Sequence, residues 1–208
     1  MPSCGHYRRG HAIRIAAVIL ALSSLLALTG CWIFSIRPLL DGPSDPDLIF
    51  DQNLVGAWSL SRVAENCQWT LTIEASSRAY NFTMAPGTGC KSAEKTTHYL
   101  GYLIKLDNHR FLDVEPKTED MCDLCVAAHT FVMVSLKDGN LALTPLDGDW
   151  VFKAINDKRV VLDHVGGDGE YIDMTLTARP PELKDFLRKY ADDKDAFKTS
   201  ASLVFARK

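Results

Sequence analysis

The side chains best able to do chemistry in this sequence are its six cysteines, Cys4, Cys31, Cys67, Cys90, Cys122 and Cys125. A thiolate attacks carbon, pairs with a second sulfur, binds a soft metal or carries electrons, and spacing decides among these roles. Cys122 and Cys125 are the only close pair, as Cys122-Asp123-Leu124-Cys125. Zinc held by four cysteines usually shows two such pairs, so a zinc site here would have to recruit the distant Cys67 and Cys90. A redox-active pair at this spacing normally sits at a helix N-terminus, whereas this one falls between predicted strands. Haem attachment asks for histidine directly after the second cysteine, and Val126 stands there. An even number of cysteines in an oxidising compartment implies disulfides. The four cysteines after Cys31 allow three pairings, one of them Cys67–Cys90 with Cys122–Cys125.

The other reactive residues form no constellation. His98, His109, His129 and His164 are scattered and no His-Glu-x-x-His occurs. His129 lies four residues past Cys125 and is the first to examine if a metal is present. No serine occupies Gly-x-Ser-x-Gly, and Gly166-Gly167-Asp168-Gly169 lacks the lysine of a phosphate loop. Glu119-Asp120 and Asp192-Asp193 read as solvated faces rather than acid–base pairs. The expectation is a protein with no catalytic residue, no cofactor and no metal.

Cys31 ends a different kind of segment. Arg8, Arg9 and Arg14 precede an apolar run with no acidic residue, and the run closes on Leu28-Thr29-Gly30-Cys31. A basic start, an apolar core and small residues at its end describe a secretory signal peptide over residues 1–30. Its end resembles the lipobox of bacterial lipoproteins. The resemblance implies a diacylglyceryl group on the Cys31 thiol, cleavage just before it, and acylation of the new amine. The alternative is an uncleaved anchor, since Ile15 to Ile36 is long and apolar enough to span a bilayer. Both readings keep the arginines inside and put the rest of the chain outside the cytoplasm. Trp32 follows the cysteine where, by the sorting rule of that family, aspartate would hold the protein at the inner membrane. The expected place is therefore the bacterial cell envelope, facing the periplasm, at the outer membrane rather than the inner.

The formal net charge of the whole chain is −3, and loss of the three N-terminal arginines makes the remainder more acidic. Without a basic cluster, nucleic acid is not an expected partner. Residues 31–52 read as a lipidated terminus and tether. Arg37 to Asp47, RPLLDGPSDPD, is rich in proline and carboxylate and offers little to a core. From 53 to 208 short β-type runs alternate with turn residues. Strands are predicted near 54–62, 67–75, 79–85, 95–106, 110–116, 129–136 and 140–145, with hairpin turns at Asp107-Asn108 and Asp138-Gly139. A short helix is predicted over 148–156, and two further strands, RVVLDHV and EYIDMTLTA, flank Gly166 to Gly169. In PPELKDFLRKYADD the residues Leu183, Phe186, Leu187, Tyr190 and Ala191 make one apolar stripe, and the two prolines suit a first helical turn. SASLVFARK then reads as a last strand. The fold class is mainly β: an antiparallel up-and-down barrel of about eight strands, with a C-terminal amphipathic helix packed on it.

Two stretches resemble the lipocalin and wider calycin pattern. Phe50-Asp51 with Gly56-Ala57-Trp58 is similar to the start of a lipocalin's first strand. Thr175-Leu176-Thr177-Ala178-Arg179, leading into a helix, is similar to the end of its barrel. The resemblance implies that Arg179 lies over the Trp58 indole and closes one barrel end, a cation–π contact of about 0.5–2 kcal/mol. The segments 129–150 and 183–197 also resemble parts of uncharacterised bacterial lipoproteins, a likeness that implies no activity. In a meander the connections alternate between barrel ends, which places Cys67, Cys90, Cys122 and Cys125 together at the mouth opposite that closure. The functional expectation is a lipid-anchored protein that binds a small or apolar ligand inside its barrel. The alternative is an interaction or structural module of the envelope, with a filled barrel and a protein partner.

Overall fold

The computed structural model describes residues 33–62, 67–87, 89–90, 95–117, 128–167 and 174–208. Seven strands follow one another as a meander: β3 (Gly56–Arg62), β4 (Cys67–Ser76), β5 (Ala79–Pro86), β6 (Thr97–Leu106), β7 (His109–Pro116), β8 (Thr130–Lys137) and β9 (Asn140–Pro145). An eighth, β12 (Leu203–Arg207), returns after two helices and pairs antiparallel with both β9 and β3. Because β6 also pairs with β7, the ring closes into an eight-stranded antiparallel barrel. The short β2 (Leu48–Ile49) joins β6 at Leu103 and Ile104, beyond the residues of β6 that pair with β5.

Alternation makes the barrel. Trp58, Leu60, Leu71, Ile73, Phe82, Leu103, Leu112, Val132, Leu141 and Phe205 occur at every second position and fill the interior. The turns at one end are tight. Asp138 and Gly139 both have positive φ, the backbone that a two-residue turn needs to match strand twist. Gly101 serves a different need, since a Cβ there would stand 2.5 Å from the Phe82 ring. Its missing side chain is the space the ring occupies.

A second core covers the outer face of β6, β7 and β8. Ile104, Leu106, Phe111 and Phe131 point outward into it. Helices α1 (Gly148–Asn156) and α2 (Pro180–Tyr190) supply the opposing side chains. Asp147 caps α1, its carboxylate accepting from Trp150 N at 2.8 Å. The predicted stripe on α2 is the packing face: Leu183, Phe186, Leu187 and Ala191 are buried against the wall. No helix among the described residues is long and apolar enough to cross a membrane.

Two expectations are corrected here. RVVLDHV and EYIDMTLTA are not barrel strands. Their described residues supply β10 (His164–Val165) and β11 (Thr175–Leu176), which form a small separate sheet with β1 (Phe34–Ser35) in the order β1-β11-β10. Their apolar residues Val160, Leu162, Met174 and Leu176 fill the outer core instead, and the last barrel strand is SASLVFARK.

The chain from Ile33 to Phe50 is not a tether either. Ile33, Leu39 and Leu48 are buried. Leu39 N donates to Asp113 Oδ2 at 2.7 Å, and Ser35 exchanges two backbone hydrogen bonds with His129. Asp45 and Asp47, which look like solvated carboxylates in sequence, meet Lys184 Nζ of α2 at 2.6 and 2.8 Å. Arg188 joins Asp47 at 3.2 Å. The strap is folded because its charges have partners on a helix more than a hundred residues away.

Candidate functional site

The two barrel ends differ. At the end of the tight turns, a 3₁₀ turn, Gln52–Leu54, lies across the opening with Leu54 buried, and the Trp58 indole donates to Leu54 O at 2.9 Å. Asp51 N donates to the Tyr80 hydroxyl at 2.7 Å, the Arg110 guanidinium holds Asp51 at 2.8 Å, and Phe50 stacks on Tyr80 with centroids 5.0 Å apart. Burial pushes the Tyr80 hydroxyl above its ordinary pKa. Inside this plug Trp58, Tyr80, Leu103, Leu141 and Phe205 have no exposed surface. The end is shut.

The expected cation over Trp58 is present but is a different residue. Arg207 of β12 pairs directly with Trp58 across the sheet, and its guanidinium stands 4.5 Å from the indole centroid. Arg207 also donates to the carbonyls of Asn53 and Val55, tying the last barrel strand to the plug. Arg179 is far from this role. It is exposed at the N-cap of α2, where its side chain pairs with Glu182, whose carboxylate also accepts from Arg179 N at 2.9 Å. The cause of the correction is the strand count: the chain after EYIDMTLTA turns into α2 outside the barrel, so the arginine able to reach Trp58 lies on β12.

The other end is not filled by the described residues. Interior positions toward the ends of β4 to β9 and the start of β12 surround a cavity of about 460 Å³. Leu71, Phe82, Met84, Leu112, Val132 and Leu143 form its walls, with Phe34 of the strap, Pro116 and Ala128 at its lip. Tyr99 and Thr130 are the polar side chains among the lining residues. Such a space rewards an apolar body by removing it from water and offers few polar groups to orient it.

The cysteine geometry matches the meander argument where it is described. Cys67, at the mouth end of β4, is bonded to Cys90 in the β5–β6 connection, with Cα atoms 4.4 Å apart. That bond uses two of the four thiols a zinc site would need. Cys122 and Cys125 lie outside the described residues, as do Leu28, Thr29, Gly30 and Cys31. The residues bounding the Cys122–Cys125 segment, Lys117 and Ala128, are at the mouth: Ala128 lines the cavity and Lys117 N bonds His98 O. Among the described residues no group of three His, Cys, Asp or Glu side chains is placed to hold a metal ion.

Sequence reading missed the buried pair Asp113 and His129. His129 Nδ1 lies 2.8 Å from Asp113 Oδ1, and Glu115 Oε2 is 3.8 Å from Nε2. Burial alone would lower the imidazole pKa, but the hydrogen bond to Asp113 and the charges of Asp113 and Glu115 outweigh it and raise it. The available signal was an aspartate flanked by apolar neighbours in FLDV, a charge on the outer face of a strand that ought to face water. The other three described histidines make local contacts: His98 Nδ1 lies 3.2 Å from the Thr83 hydroxyl, His109 meets Asp192 at 3.2 Å and His164 the Leu162 carbonyl at 2.9 Å. No protein-family model, curated protein or solved structure matches the chain.

Proposed function

We propose that the chain is an exported envelope protein, attached to a membrane by a lipid on Cys31, that holds a small apolar ligand in its barrel. One observation carries the ligand: a closed barrel keeps about 460 Å³ of its interior empty and lines it with leucine, valine, methionine and phenylalanine. That volume falls in the range of small-molecule sites, about 300–1,000 Å³. A barrel serving only as an outer surface for a protein partner has no need of the space. Export and lipidation are supported by Leu28-Thr29-Gly30-Cys31 at the end of the signal-like run and by the Cys67–Cys90 bond, a kind that persists in oxidising compartments. The ligand would have an apolar body and at most one polar end, met by Tyr99 or Thr130. The reading includes no catalytic step, and its compartment is the periplasmic side of the envelope, at the outer membrane.

Dye displacement tests it. N-phenyl-1-naphthylamine should brighten on mixing with the mature protein and be displaced by an apolar competitor. Leu143→Trp, which fills the cavity from the wall, should abolish the brightening while leaving the unfolding midpoint nearly unchanged. A dye signal that never appears, or that survives the filled variant intact, removes the ligand from the proposal.

A further inference from the structure

Along a strand, neighbouring side chains point to opposite faces, and the solvent face of a small antiparallel sheet is normally polar. The β1-β11-β10 sheet departs from this. Its inner row includes Ser35 and Leu176, both buried. The opposite row is Phe34, Thr175 and Val165, in register across the three strands. Phe34 is 46% exposed and Val165 57%, and Ile36, two residues beyond Phe34, is 43% exposed. Single exposed apolar residues are ordinary; a group beside an opening calls for an occupant. Phe34 also lines the cavity lip, and with strands about 4.8 Å apart Val165 stands roughly 10 Å from it. The patch and the opening are one surface.

The covalent chain supplies a second fact. Cys31 is three residues before Phe34, a reach of at most about 11 Å even when fully extended. Beyond Phe34 there is no slack, because the strap is fixed at Ser35 to His129 just before β8, at Leu39 to β7 and at Asp45 to α2. The far end of the barrel is about 30 Å away along β6 and presents polar turn residues, Ser77, Arg78, Asp107, Asn108 and Asp138.

We infer that the rim of Phe34, Ile36 and Val165 rests on a lipid bilayer, so that the open end of the barrel faces the membrane and the cavity opens toward the acyl chains of the leaflet. The inference depends on the proposal that Cys31 carries a lipid and goes beyond it by setting which end of the molecule lies down. Ligand exchange is then between leaflet and cavity, with no passage through bulk water.

Photocrosslinking of the full processed chain tests the orientation. The protein is purified with its native N-terminus, reconstituted in vesicles of phosphatidylethanolamine and phosphatidylglycerol, and carries p-benzoylphenylalanine at Phe34, at Val165 or, as a control, at Asp107. All three positions are exposed or in a turn, and the intact Cys67–Cys90 bridge in the peptide map reports that the barrel has formed. Irradiation should give phospholipid adducts at positions 34 and 165 several-fold above those at 107, with an acylated N-terminal peptide. Equal labelling at 107, on an acylated chain, overturns the orientation and leaves the anchor standing. A bare Cys31 thiol overturns the anchor, and the orientation then stands only if 34 and 165 still outlabel 107 and falls if they do not.

Discussion

Arg207 and Arg179 carry the same group and do different work. One guanidinium covers the Trp58 face and bonds two carbonyls of the plug, while the other completes a helix N-terminus in solvent. Replacing Arg207 with alanine should cost about 0.5–1 kcal/mol, the scale of an exposed cation–π contact, read as a lower denaturation midpoint. Arg179→Ala should leave the midpoint of the barrel where it is, and a drop equal to that of Arg207→Ala would restore the sequence expectation. His129 carries a prediction with a sign. Its pKa is raised above the ordinary 6.5 by Asp113 and Glu115 despite burial, so the folded state binds the proton more tightly than the unfolded state. The pair's contribution is complete below 6.5 and fades as pH rises through the raised value. His129→Asn should therefore destabilise by about 2 kcal/mol at about pH 6, with a gap to wild type that narrows in thermal melts at alkaline pH. A gap that widens with pH would contradict the charge assignment.

The elements were legible in proportion to how local their causes are. Period-two runs placed β3 to β9 within a residue or two, the Asp138-Gly139 turn placed a hairpin, and the i, i+3, i+4 stripe placed α2 on the wall. The strap was not legible. Proline, glycine and aspartate read as solvated chain because nothing nearby reveals that Lys184 and Arg188 wait on α2 for Asp45 and Asp47. The cavity was not legible either, since residues that fill the closed half and residues that line the open half are the same types at the same period. Lys184→Ala tests the strap. It strands the buried Asp45 carboxylate and should cost about 3 kcal/mol, in the manner of a broken buried pair. Hydrogen exchange should then rise first over residues 39–49, and unchanged protection there would mean the ion pairs do not hold the segment.

At the scale of the molecule, one half of the barrel is filled and the other encloses the cavity, and the Cys67–Cys90 bridge stands at the cavity end. It spans 23 residues, for which chain-entropy arguments give about 3 kcal/mol. Mutating both cysteines to alanine should lower stability by that amount and loosen the mouth before the plug, seen as faster exchange at the start of β4 than around Trp58. Equal loosening at both ends would make the barrel a single cooperative unit with no weaker half. The ring itself is joined by two strands far apart in the chain, with Arg207 seated opposite Trp58. Synthesis must therefore pass β4 to β9 and both helices before β3 finds its second neighbour. Until then two strands show bare hydrogen-bonding edges, a ready template for pairing with another copy. A chain that lacked β12 would display two strand edges that the finished ring conceals.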